Sequence, residues 1–152
     1  IRAASVSHRG PTLGYRIDEG DSSLTYIPDH EPALGADLDS LEEDWISGFA
    51  LAHETSLLIH DGQYTDAEYP EHLGWGHSAL THSLAFARRT GAERTALFHH
   101  DPMHSDDFLD RFGVEAKERW AALGGDPATI ELGAERAEYE LPARAPQVAA
   151  SA

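Results

Sequence analysis

The chain has 152 residues, 41% of them hydrophobic, a formal net charge of −16 and no cysteine. That length and apolar content suit one domain with a real core, and the absence of cysteine excludes disulfides, thiolate metal sites and cysteine nucleophiles. The charge argues against sequence-independent binding of nucleic acid, so nucleic acid is not the expected partner, and no apolar run is long enough to span a membrane.

The chain starts at Ile1 with no charged-then-apolar leader, so a processed or truncated chain and a cytoplasmic location are expected. Residues 1–8 read as a strand running into the HRGPT turn. Residues 13–17 and 24–27 read as a hairpin joined by DEGDSS, with Pro28 stopping the second strand and Asp29 just beyond it. HEPALGADLD has the composition of a surface loop. Ser40 followed by Glu43 is a capping-box pattern, which predicts a helix starting at Leu41 and weakened by Gly48. Residues 57–59 form a short apolar run, typical of a strand buried on both faces, and deliver His60 and Asp61 to its end.

GQYTDAEYPEHLGWG, rich in glycine and aromatics, is a candidate substrate-covering loop. A helix is expected after Ser78, with Leu80, Leu84 and Ala87 on one face and Gly91 closing it. Residues 95–98 form another buried strand that ends at His99-His100. Ser105 caps a last helix striped by Phe108, Phe112, Ala116, Trp120 and Leu123, and residues 129–132 add an edge strand. Helices and short buried strands alternate after a hairpin, which is the pattern of α/β layers. Residues 1–135 are expected to form the folded unit, with 136–152 a disordered tail, turning to Ala/Pro from about Pro142.

Imidazoles and carboxylates recur where these strands end. They are the ligand set for zinc, manganese or iron, and the carboxyl ends of strands are where α/β sites form. His8, Asp29 and His100 each follow an apolar strand and precede a turn, so they are the candidate metal ligands. Asp29 suits a bridging role, because a carboxylate can hold two cations close together. Asp61 before Gly62 is equally a turn residue. His77, in a glycine-flanked loop, is the candidate proton donor to a leaving group, with Asp29 the other candidate catalytic residue. His53, His72 and His82 read as structural, His60 is expected to point to the opposite side of its strand from Asp61, and Pro102 argues against a helical pairing of His104 with His100.

At these residues the chain resembles the metallo-β-lactamase superfamily, in its ribonuclease Z-like phosphodiesterase branch. The motifs that carry the resemblance run in order: His8 before Gly14-Tyr15, Asp29, LLIHD, His77-Ser78 and His100, over about residues 4–132. The resemblance implies an α/β fold of the αββα sandwich type with two metal ions, usually zinc, at the strand ends. It places His8 on the first ion, Asp29 between both and His100 on the second, with His99 the fallback if the register slips by one. The signature His-x-His-x-Asp-His is absent, so the chain resembles the C-terminal half of such an enzyme. A missing half would leave apolar residues of an inner sheet face exposed. The expected function is therefore a dinuclear metal-dependent hydrolase acting on a small-molecule phosphodiester, completed by a longer chain or by a homodimer partner. The alternative is a non-catalytic metal- or partner-binding module. Thioester, lactone or lactam hydrolysis and redox chemistry at paired iron stay open on the same fold.

Overall fold

A computed structural model describes residues 1–141. Six strands form one sheet in sequence order: β1 (Arg2–Ser5), β2 (Leu13–Glu19), β3 (Ser22–Ile27), β4 (Leu57–Asp61), β5 (Thr95–Phe98) and β6 (Ile130–Leu132). The first three are antiparallel, as tight turns allow, with Gly20 at a positive φ in the β2–β3 turn. From β3 onward every pairing is parallel and needs a crossover.

Those crossovers carry the helices α1 (Phe49–Ala52), α2 (Tyr69–His72), α3 (Leu80–Thr90) and α4 (Asp106–Ala122). The α3 side chains of Leu80, Leu84, Phe86 and Ala87 are buried against Ile27, Leu58 and Leu97 of the sheet. The leucine and phenylalanine side chains among them stabilise the fold by about 1.5–3 kcal/mol each. Phe112, Ala116 and Trp120 do the same for α4, whose N-terminus is capped by Ser105 as its sequence predicts. Gly91 ends α3 in the left-handed conformation, also as expected. Residues 142–152, which contain most of the expected disordered tail, lie outside the described residues.

Two local expectations fail. No helix starts at Leu41: two short 3₁₀ turns, Leu38–Ser40 and Glu43–Trp45, occupy the segment, and only Phe49–Ala52 is α-helical. Gly48, at φ 73°, breaks the run, and Trp45, which a helix would need to bury, is 77% exposed. Ser78 does not cap α3 either. Its hydroxyl donates to the His30 carbonyl, while Asp66 accepts the Thr81 N–H from across the loop.

The helices cover one face of the sheet. On the opposite face the register aligns Tyr15 with Tyr26, Tyr26 with Ile59 and Ile59 with Ala96 in one cross-strand row. Leu13, Tyr15, Ile17 and Tyr26 remain exposed at the β2–β3 end of it. The residues after β6 run over the other end, where Tyr139 packs under the Arg94 guanidinium.

Candidate metal centre

Strand ends bring the site together. His8 lies in the turn after β1, Asp29 follows β3 by two residues, Asp61 ends β4, His77 precedes α3, and His99 follows β5 directly. One donor atom from each of His8, Asp29 and His77 lies within 4.8 Å of the others, and all three residues are half-buried. His99 Nε2 stands 3.3 Å from Asp29 Oδ1. The His77 ring stacks on His99 at 5.0 Å and meets His8 edge-on at 5.1 Å.

Each ring is held from behind. Thr12 Oγ1 and the Gly10 N–H reach Nδ1 of His8 at 3.0 and 3.2 Å. Nδ1 of His77 donates to Asp61 Oδ2 at 2.7 Å, which leaves Nε2 as the nitrogen facing the cluster. Asp61 is fully buried and also accepts the backbone N–H groups of His30, Gln63 and Ser78. Burial pushes its carboxyl up, while those donors pull it back. Burial works against a charged His77, but the hydrogen bond and charge of Asp61, with Asp29 and Glu31 behind it, outweigh that and raise its pKa.

His8, Asp29 and His77, the candidates that stand out in the sequence, meet. His100, the other proposed ligand, does not join them. Its Nε2 faces the Gly133 carbonyl at 3.3 Å and its Nδ1 is buried without a partner. The neighbour His99, with φ at 59°, turns the chain so that its own ring reaches Asp29 instead. Beyond His99 opens a cleft of about 690 Å³, lined by Phe98, His99, His100, Asp106, Asp110 and Glu135 among others.

Two buried groups behind the site were not foreseen, because HEPALGADLD has the composition of a surface loop. His30 packs into the core with its Nδ1 2.8 Å from Nε2 of His60, and both rings pack against Phe86. Burial lowers the pKa of both, that of His60 to about 3. Glu31, 1% exposed, accepts from Tyr69 Oη at 2.6 Å and from the N–H groups of Gly74 and Gly76 at 2.9 Å. It thereby ties the GWGHS loop to the end of β3. The remaining histidines are packed: His53 on Phe49, His72 on Tyr64, His82 against Tyr69 and His104 on Phe108.

The donor set fits a divalent ion of borderline softness. Imidazole and carboxylate converge, and no described arginine or lysine pairs with Asp29.

Residues 1–100 match the family model of the beta-lactamase superfamily domain. The crystal structure of human tRNase Z, short form, is similar over 66% of this chain and 35% of its own, at 27% identity and a TM-score of 0.53. The metallo-beta-lactamase fold protein YhfI from Bacillus subtilis is similar in fold over 86% of this chain and 44% of its own, at 16% identity and a TM-score of 0.58. The chain thus spans less than half the length of either structure. No curated protein matches it.

Proposed function

The chain belongs to the beta-lactamase superfamily domain family, and from that membership and the clustered donors we propose that it is one part of a metal-dependent phosphodiesterase. The observation that carries the reading is the convergence of His8, Asp29 and His77 within 4.8 Å. His8 and Asp29 would hold one ion and Asp29 with His99 a second, since the Asp29 carboxylate lies close to both His8 and His99. Zinc suits these donors, and manganese or iron are the substitutes. The ligands still needed come from a longer chain or a second copy. A bound ion supplies positive charge against the negative charge that builds up as a phosphodiester is hydrolysed.

The chain's own part is orientation and proton transfer. In the charged ring, Nε2–H of His77 delivers a proton to the leaving oxygen while Asp61 holds Nδ1 and balances the charge. The Asp29 carboxylate lies among three imidazoles, those of His8, His77 and His99. The human neighbour is named a tRNase, which weighs against ruling nucleic acid out; the charge of −16 weighs towards a small diester.

Elemental mass spectrometry on the full chain, purified without chelators, tests the reading beside turnover of bis(4-nitrophenyl) phosphate and of RNA. Bound metal that disappears in Asp29→Asn is the expected result. Metal retained in that variant removes Asp29 from the site. A wild-type chain without metal is an inactive half on its own; if the longer chain or a second copy restores no metal either, the chain is a non-catalytic module, for which the exposed Tyr15–Tyr26 face is the partner surface.

A further inference from the structure

Arg9 and Trp75 meet at the mouth of the same site. Arg9 follows His8 in the chain, and Trp75 precedes the Gly76-His77 step, so each adjoins one of the clustered donors. The Arg9 guanidinium lies over the Trp75 indole, 6.0 Å from its centroid, and both side chains are exposed. Resting on the hydrolase reading above, we propose that Arg9, held over Trp75, receives an anionic phosphate group of the substrate.

The pair stands on a built base. Gly76 has φ at 100°, and a Cβ there would run into the His8 ring and into the Arg9 nitrogen at 2.8 Å. The two loops can touch only because that residue is glycine. Glu31 then fixes the Gly74 and Gly76 N–H groups on either side of Trp75.

Charge makes the arrangement informative. Acidic residues outnumber lysines and arginines 27 to 11, and most arginines near carboxylates are taken. Arg2 and Arg16 pair with Asp18, Arg88 with Asp39, Arg94 with Glu131 and Arg119 with Asp66. No carboxylate among the described residues pairs with Arg9, although it borders the site. The cleft beyond His99 is walled by Asp106, Asp110 and Glu135, which repel a phosphate. The anionic end of a substrate is therefore directed to the Arg9 side. There the guanidinium offers a fork of donors matched to phosphate oxygens, and the indole keeps it in place.

Calorimetric binding of thymidine 5′-monophosphate to the full chain, with added zinc and with chelator, tests this. Arg9→Gln should weaken binding by about tenfold or more, the loss of one charge-assisted hydrogen-bonding partner. Trp75→Ala should weaken it too, while Trp75→Phe retains most of it. Added salt should cost the wild type more affinity than Arg9→Gln. Equal affinity of wild type and Arg9→Gln in both conditions overturns the proposal, as does a wild type that does not bind. Arg9-dependent binding without diester turnover, once the longer chain or a second copy supplies the remaining ligands, would sink the hydrolase reading and leave the phosphate contact intact. Turnover with KM unchanged in Arg9→Gln would do the reverse.

Discussion

Nδ1 of His77 lies 2.7 Å from Oδ2 of Asp61, a carboxylate with no exposure to solvent. An acid that deep is placed to orient and charge-balance the ring, not to meet substrate. Asp61→Asn keeps the shape and removes the charge. It should lower phosphodiester hydrolysis by about 10- to 100-fold while leaving metal content near that of the wild type. Elemental analysis beside steady-state kinetics checks both halves; a variant that loses its metal would make Asp61 part of the metal-holding set.

His99 and His100 separate cleanly. His99 reaches Asp29, and His100 faces the Gly133 carbonyl. His99→Ala should therefore reduce bound metal and His100→Ala should leave it in place. The reverse pattern in the two variants would return the ligand role to His100.

Stability should fall in mild acid. Burial lowers the His60 pKa from 6.5 to about 3, and its neighbour His30 is lowered for the same reason. Between those values the unfolded chain takes up a proton that the folded chain refuses, so stability rises with pH across the window. It is complete above about 6.5 and is lost as the pH drops towards 3, on the order of 4–5 kcal/mol from His60 alone. Urea unfolding at pH 7.5 and pH 5 should show about 2 kcal/mol of that loss. His60→Leu should flatten the pH dependence, and an unchanged slope would acquit the pair.

Glu31 is expected to hold the GWGHS loop. Glu31→Ala leaves Tyr69 Oη and the Gly74 and Gly76 N–H groups without their acceptor. The cost should be about 3 kcal/mol by urea unfolding, and Glu31→Gln, which keeps one carbonyl, should cost less. Equal losses for the two variants would point to packing in place of hydrogen bonding.

What the sequence disclosed follows from how local each signal is. The strands, the Ser105 cap and the Gly91 stop depend on near neighbours, and they stand where they are expected. His8, Asp29 and His77 could be picked out because each leaves a strand or enters a helix at a turn. The choice between His99 and His100 could not be made by strand alternation. The strand ends at Phe98 and His99 takes a left-handed φ, so the side chains stop alternating just where the choice is made. Glu31 and His30 were hidden for a different reason. Their partners lie 30 to 45 residues away, and nothing in HEPALGADLD marks a polar residue as buried. The capping box at Ser40 was a true local preference, overruled by the break at Gly48.

The strand β3 is antiparallel to β2 on one side and parallel to β4 on the other. The hairpin part closes short loops and is quick to form, whereas the parallel part must first bring distant segments together. His8 belongs to the first part, His77 and His99 to the second, and Asp29 sits at the join. The four residues therefore meet only when the parallel part is paired with the hairpin part. Ions held by His8, Asp29 and His99 would tie both parts together through Asp29, so they would add their binding free energy to the finished fold and to neither piece alone.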